Sequence, residues 1–390
     1  MKVSKQHFYD IADWVESQRH DLIQVLTSIS SHEAADDEVT RAVKALRGVE
    51  QEWDYLEQAP HLFRLSIMQP TNVLLYSYVL YGLIPGVKFD EVFIKTSQKV
   101  SAPAKEIHEM FSSQFPANIN LGYMTHEGFR KYLLPTSDVL VHTGSYNNAL
   151  DLETELRNDQ LFLFFGSGVN PFIVGPDADI DLAVRGSIDA HVFNSGQDCL
   201  CSNVFFVHES VLEHYLQTLK QKIADVSVGD RSDPSARVNP LFYDLGSDVL
   251  ELFRQGDYQN LYGSEIDVNT GTIPPTVLLH PDISTAANVE FFCPVFYIVP
   301  YRQTEEIITY LEKPGNIEHA MGANVYGDPD VIGAIQDTHM VATNSTIFDI
   351  EDGNTPFGGS GVRANHVFYK GERIARPILI SKELSLSSKD

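Results

Sequence analysis

One short segment carries most of the chemistry legible in these 390 residues: Phe193–Asn194–Ser195–Gly196–Gln197–Asp198–Cys199. A thiol at the end of a small, glycine-containing turn can be approached closely by a substrate carbonyl. Backbone N–H groups of the same turn can hold a thiolate or an oxyanion. Against this stands the ordinary fate of a lone cysteine, burial as a small apolar side chain. Other clusters read as structural. Asp177, Asp179 and Asp181 open like a calcium loop, but the sixth position is Leu182 rather than glycine and the twelfth is Ile188 rather than glutamate. The histidines show no metal-binding spacing, so no metal site is expected.

The elements that must position this turn alternate in pattern. Residues 1–58 read as helices; Val39, Val43, Leu46, Val49 and Trp53 follow a helical period. From Phe63 onward, short apolar runs (62–69, 91–97, 138–145) alternate with helix-like segments (71–84, 102–115). That alternation predicts an α/β fold with a mostly parallel sheet. A second α/β block starts near Gly168 and includes a strand and amphipathic helix across 205–225, whose apolar stripe is core packing. Residues 226–272 are rich in turn formers and predict loops, with a helix around Asp248 to Arg254. The last strand-like run is Pro377 to Ser381, and the tail after it is expected to fray.

Composition narrows the class. With 43% apolar residues the chain can bury a large core. Its formal charge of -25 repels phosphate backbones and anionic lipid, so neither nucleic acid nor membrane is an expected partner. No apolar run is long enough to span a bilayer, and the first residues lack a signal-peptide stretch. Cys199, Cys201 and Cys293 are the only cysteines, which fits a reducing, cytoplasmic setting without a disulfide framework.

The cysteine segment resembles the aldehyde dehydrogenase signature, an aromatic residue followed by Asn-x-Gly-Gln-x-Cys. Further segments fall in the family's order. Gln69–Pro70–Thr71–Asn72 resembles its Pro-Trp-Asn segment, and Ile94–Lys95–Thr96–Ser97 its strand-end lysine motif. His142–Thr143–Gly144–Ser145 resembles Phe-Thr-Gly-Ser. Pro171 with Asp177–Ala178–Asp179 resembles the Pro-x-Ile region. Glu290–Phe291–Phe292–Cys293–Pro294–Val295 resembles Glu-Ile-Phe-Gly-Pro-Val, and Pro356 to Gly361 the late Pro-Phe-Gly-Gly segment. The resemblance spans roughly residues 20–385. It implies an aldehyde-dehydrogenase-like α/β fold, with a Rossmann-type cofactor domain in 1–167, a catalytic domain in 168–368 and a C-terminal strand and tail in 369–390.

The resemblance also implies roles. Cys199 is the nucleophile that forms a thiohemiacetal or thioester, and the Asn72 amide with the Cys199 N–H holds the oxyanion. Lys95, Gly144, Ser145 and Glu290 bind NAD or NADP. The substrate is a small aldehyde or acyl compound, and a homodimer is open. The family's catalytic glutamate is replaced by Phe165, and losing a positioned base costs roughly 10²- to 10⁴-fold in its step. Members that exchange acyl groups with a thiol such as coenzyme A often lack this glutamate, so an acyl reductase or acyl-transferring dehydrogenase is the leading expectation. The alternatives are a hydrolytic enzyme with its base moved to Asp198, His142 or His191, and a non-catalytic dinucleotide-binding scaffold. Thr71 replaces the motif tryptophan, and Ala149 replaces a glycine near the cofactor. Gln98 stands where NAD-preferring members carry glutamate, which admits NADP. The family's arm hairpin is missing before Leu62.

Overall fold

In the computed structural model, the described residues are 4–115, 118–243, 249, 251, 258–263, 266–267, 269–288 and 290–387. Helices fill Lys5–Gln58, the longest being His32–Arg47, which buries Val39, Val43 and Leu46. Five parallel strands follow: β1 (Leu62–Met68), β2 (Phe89–Thr96), β3 (Ile119–Tyr123), β4 (Val139–Thr143) and β5 (Leu161–Phe165). The chain then builds a second sheet from β6 (Asn170–Val174), β7 (Ser202–His208), β8 (Gln259–Tyr262), β9 (Thr276–Leu279), β10 (Val295–Tyr301), β11 (Gly322–Tyr326) and β12 (Met340–Thr343). It returns to the first sheet as a hairpin, β13 (Asn365–Tyr369) and β14 (Glu372–Ala375), with β13 antiparallel to β5.

Strand order is β14-β13-β5-β4-β1-β2-β3 in the first sheet and β12-β11-β6-β7-β10-β9-β8 in the second. Only β8, β13 and β14 break the parallel pattern. Alternate residues of each strand point to opposite faces. In the first sheet Leu65, Ile67, Val139, Val141 and Leu163 meet the N-terminal helices, while Met68, Leu140, Phe162 and Phe164 pack on the other side with Ala149. Ala149 is thus a helix-to-sheet packing residue. The second sheet divides likewise, with Phe206, Val299 and Val325 on one side and Phe205, Ile298 and Tyr326 on the other. Among the described residues no helix is long and apolar enough to cross a membrane.

Pro377 to Ser381 is not a sheet strand. Ile378 makes one antiparallel bridge to Phe357, and the chain then turns into the helix Ile380–Glu383. The tail is partly anchored, because Leu384 is fully buried against the N-terminal helices and β-sheet. The expected helix at 248–254 lies largely outside the described residues. The acidic run after Val174 serves as a helix start: Asp179 Oδ1 accepts the Leu182 N–H at 3.0 Å, capping Ile180–Val192.

The returning hairpin is tied to the first sheet's helix Tyr146–Glu153 through the buried carboxyl of Glu153. Glu153 Oε1 accepts from His366 Nε2 at 2.6 Å, and its other oxygen accepts from Arg373 Nε at 3.1 Å. Burial opposes ionisation of Glu153, but the hydrogen bonds from His366 and Arg373 outweigh it and hold the carboxyl below its ordinary range. Glu153→Ala leaves the buried His366 Nε2 and the Arg373 guanidinium without their acceptor, so it should cost about 1–3 kcal/mol of unfolding free energy. Urea denaturation of both proteins measures this. Because the folded value is depressed, the difference should be full above the ordinary glutamate value of 4.5 and shrink as pH falls below it. A loss under about 1 kcal/mol at neutral pH would contradict the role.

Candidate active site

The carboxyl ends of parallel strands are where open α/β sheets bind ligands, at the point where strand order reverses. In the first sheet that point lies between β1 and β4, which run out into Gln69–Asn72 and Gly144–Ser145. The second sheet presents its opposite edge here: β6 begins at Asn170 and β7 at Ser202, just after the cysteine turn. Between the two edges lies a cavity of about 930 Å³, lined among others by Asn72, Ser145, Phe165, Asp198, Cys199 and Glu290.

The cysteine turn is held in an unusual backbone shape. Asn194 (φ 48°), Ser195 (φ 57°) and Gly196 (φ 77°) are all left-handed. Non-glycine residues adopt this conformation only when surroundings fix it. Ser195 Oγ accepts the Asn239 N–H at 2.8 Å, and Asn194 Oδ1 accepts the Ser31 N–H at 2.9 Å. Gln197 Oε1 accepts the N–H groups of Phe242 and Tyr243. At Gly196 a Cβ would lie 2.6 Å from the Cys293 carbonyl carbon, so only glycine fits. Asn170 Nδ2 then fixes the far side by donating to Cys199 O at 2.7 Å and Cys201 O at 3.1 Å. Cys199 emerges half-buried at the cavity wall, whereas Cys201 and Cys293 are buried in packing.

Asn72 reaches the same turn. Its Nδ2 lies 3.4 Å from Gln197 O, two residues before Cys199. The loop that carries it is fixed from an unforeseen direction. Glu38, on the helix His32–Arg47, accepts the N–H groups of Leu75 (2.6 Å) and Tyr76 (3.0 Å). Glu38 thereby caps the helical segment beginning at Leu74, and its side chain also lines the cavity.

The cavity wall is acidic, and its groups raise one another. Burial, then the negative charges of Asp198 and Glu290, push the Cys199 thiol well above its ordinary value. Burial lifts Asp198 to about 6, although the Leu200 N–H at 2.8 Å favours its charged form. Burial and Asp198 lift Glu290 to about 7 against a hydrogen bond from Ser167. Glu38 rises to about 8 through burial, with smaller contributions from Asp198 and Asp37. Phe165 ends β5 on the same wall; its ring stacks on Tyr81 with centroids 5.1 Å apart.

The residues expected to hold a dinucleotide take positions along the first sheet's carboxyl edge. Lys95 is buried at the end of β2, beside Gly122 of β3, and burial lowers its pKa. No carboxylate pairs with it among the described residues. The buried Ser97 hydroxyl has no hydrogen-bond partner among the described residues, while the Thr143 hydroxyl faces the Tyr81 side chain. Ser145 caps Tyr146–Glu153 by accepting the Asn148 N–H at 3.3 Å, so it combines a capping role with a place on the cavity. Gln98 is exposed and puts no carboxylate beside Lys95. A buried lysine, a spare serine hydroxyl and a helix start on one edge suit a phosphate- and ribose-bearing ligand. Two alternative bases fail on position. His191 is packed between Phe205 and Phe296, and burial holds it near 4. His142 lies under Gly144 against Phe162 and Phe164, also near 4 through burial. Neither reaches the cavity wall, whereas Asp198 does.

Sequence reasoning passed over Glu38, Asn170 and the pair Arg41–Glu351, whose guanidinium and carboxylate meet on the cavity wall. Glu38 had a signal. It is a carboxylate beside Val39 on the apolar stripe of a helix, where a charge needs a reason to be buried.

The family model of the aldehyde dehydrogenase family matches residues 92–364. The chain therefore belongs to the aldehyde dehydrogenase family. It is 29% identical over 202 residues to aldehyde dehydrogenase family 3 comG of Dictyostelium discoideum, covering 50% of this chain and 41% of that protein. It is 26% identical over 237 residues to the NADP(+) succinate-semialdehyde dehydrogenase of Saccharomyces cerevisiae, covering 58% of this chain and 47% of that protein. The matched stretch thus spans less than half the length of these curated relatives. Among solved structures, the succinic semialdehyde dehydrogenase of Streptococcus pyogenes in complex with NADP+ superposes with a TM-score of 0.81 at 16% identity, over 98% of this chain and 87% of that one. GapN of Methanocaldococcus jannaschii, complexed with NADP, gives 0.80 at 18% identity, again over 98% and 87%. These two likenesses bear on the fold.

The raised thiol makes a kinetic prediction for the free protein. Alkylation of Cys199 by iodoacetamide should be slow at pH 7 and climb about tenfold per pH unit up to pH ~9, because only the thiolate attacks. Asp198→Asn removes the neighbouring negative charge and should accelerate the reaction at fixed pH. Peptide mapping of the labelled protein reads both effects. A rate already level below pH 7 would show that the thiolate is stabilised after all.

Proposed function

We propose that this chain is an NAD(P)-dependent oxidoreductase acting on aldehydes or acyl groups through Cys199, and that it passes the acyl group to a thiol rather than to water. The NADP in the names of its relatives and fold neighbours supports the cofactor, as do the buried Lys95 and the helix start at Ser145. Lys95 would hold the adenosine ribose, Gly144 and Ser145 the pyrophosphate, and Glu290 the nicotinamide ribose. When bound, that cofactor takes up the hydride that turns a thiohemiacetal on Cys199 into a thioester, or returns it in the reductive direction.

The chain's own groups supply the rest. The Cys199 sulfur adds to the carbonyl carbon, and its proton leaves for solvent. The carbonyl oxygen becomes an oxyanion facing the Asn72 amide and the Cys199 N–H. Such donors are the largest single contribution in many acyl transfers. An incoming thiol then displaces Cys199 from the thioester, regenerating the free enzyme and releasing a new thioester. Coenzyme A is the thiol of this chemical class that the proposal names.

One observation carries the preference for a thiol. Phe165 occupies the end of β5 where the family resemblance calls for a carboxylate base, and it is locked against Tyr81. A phenyl ring neither accepts a proton nor orders water. A second reading, hydrolysis with Asp198 as base, is favoured by that residue's place on the wall and its value near 6, a range suited to general-base work at neutral pH.

Stopped-flow mixing with an aldehyde and NAD(P) separates the two readings. Thiol transfer predicts a burst of reduced cofactor followed by a slow phase that coenzyme A accelerates. Phe165→Glu should raise the slow phase in the absence of thiol. Fast steady release of free acid without any thiol, abolished in Asp198→Asn, would establish hydrolysis instead. Asn72→Ala should lose about 2.7–4 kcal/mol of transition-state stabilisation, the usual loss for one oxyanion donor, with dinucleotide affinity unchanged. Wild-type turnover in that variant would remove Asn72 from the oxyanion site.

A further inference from the structure

Phe165 has a second consequence, set by the face of the sheet to which it points. The residues of β5 alternate: Leu161, Leu163 and Phe165 meet the N-terminal helices, whereas Phe162 and Phe164 pack with Ala149 and Leu152 of the helix Tyr146–Glu153. The helix that Ser145 starts therefore lies on the face opposite Phe165, although Ser145 and Phe165 line one cavity. On the Phe165 face the wall is carbon. The Phe165 ring stacks on Tyr81 and lies 6.4 Å from the Phe357 ring. Phe357 exchanges backbone hydrogen bonds of 2.9 and 3.0 Å with Ile378. Leu80 fits against Gly353, where a Cβ would lie 2.8 Å from its Cδ2. Cys199, Phe348 and Phe357 pack on the same buried cluster of Leu200, Met321 and Ile347, so the apolar wall is continuous with the thiol.

Polar groups around this wall are engaged with one another. Arg41 Nε lies 2.5 Å from Asp37, one terminal nitrogen meets Glu351, and the other donates to Phe348 O at 2.9 Å. The Tyr76 hydroxyl donates to Glu351 at 2.8 Å. Glu52 accepts from Asn354 at 2.7 Å and from Ser381 at 2.5 Å, which ties the segment after Ile378 to the N-terminal helices. Glu38 gives one oxygen to two backbone N–H groups, and at about 8 its carboxyl holds a proton at neutral pH. Gln69, in the segment that carries Asn72, keeps an unpartnered Oε1. Water finds few partners along such a wall, whereas an aliphatic chain gains contacts over its whole length.

We propose that the substrate of this site carries a long, unbranched aliphatic chain, which lies along Phe357, Phe165, Tyr81 and Leu80 while its carbonyl carbon is at Cys199. The inference rests on the proposed aldehyde chemistry at Cys199 and departs from the succinate semialdehyde in the names of several relatives. It also gives the phenyl ring at position 165 a use. A carboxylate there would be stripped of water by the chain, and burying a charge without a partner is costly.

An unbranched series from butanal to octanal tests the chain alone. With NAD(P) and coenzyme A present, kcat/KM should rise about threefold for each added methylene, and so about 10²-fold over the series. Succinate semialdehyde, which ends in a carboxylate, should fall below butanal. Leu80→Trp fills the space beside Tyr81 and should lower the ratio of octanal to butanal about tenfold, whereas the volume-conserving Leu80→Met should keep it. Circular dichroism reports that each variant is folded. A flat series, succinate semialdehyde as the best substrate, or an unchanged ratio in folded Leu80→Trp overturns the chain inference while the aldehyde reading stands. If no aldehyde reduces the cofactor or modifies Cys199, the underlying reading fails and this inference with it.

Discussion

Three consecutive left-handed residues, Asn194, Ser195 and Gly196, fix where the thiol points, and much of the site depends on that backbone. No short-range preference makes Asn and Ser adopt it together. It exists because distant groups pin each residue: Ser31 on Asn194, Asn239 on Ser195 and the Cys293 carbonyl against Gly196. Those partners come from the first helices, from the segment after the helix Glu209–Ile223 and from the approach to β10. The turn is therefore assembled only when both sheets have packed. Strain of this kind is held by surrounding structure and stays where function needs a side chain aimed.

The two sheets contribute unlike things at the cavity. The carboxyl edge of β1, β2 and β4 offers N–H groups, a lysine and hydroxyls, which suit an anionic ligand. The amino edge of β6 and β7 offers the thiol and is surrounded by acids. The acids line the cavity together with Cys199, whereas Lys95 lies along the end of β2, outside that lining. In the free protein burial, and after it the charges of Asp198 and Glu290, oppose thiolate formation at Cys199.

Much of the architecture was legible because it follows from period. Alternating apolar residues in β1, β2 and β4 and the stripe of His32–Arg47 can bury in only one way. The segments bearing Cys199, Asn72 and Glu290 were found as local motifs, and the fold brings them to a single cavity. The Pro377 to Ser381 run was misread because a short apolar segment fits a strand or a buried turn equally well, and only its packing against the first helices decides. Glu38, Asn170 and Arg41–Glu351 were not legible for a different reason. Each acts across a long sequence separation, as with Asn170 to Cys199 or Arg41 to Glu351, and no local pattern encodes such a partner. His142 and His191 failed as bases on the same ground, since composition cannot say which ring faces a cavity and which faces a phenylalanine.

The central claim is that acyl transfer passes through Cys199. The direct measurement is peptide mass spectrometry of protein quenched after mixing with butanal and NAD(P), without a thiol acceptor. The account predicts one butanoyl group on the peptide containing Cys199, absent in Cys199→Ala and discharged on adding coenzyme A. Reduction of the cofactor with Cys199 unmodified, or with the acyl group on Cys201 or Cys293, would contradict it.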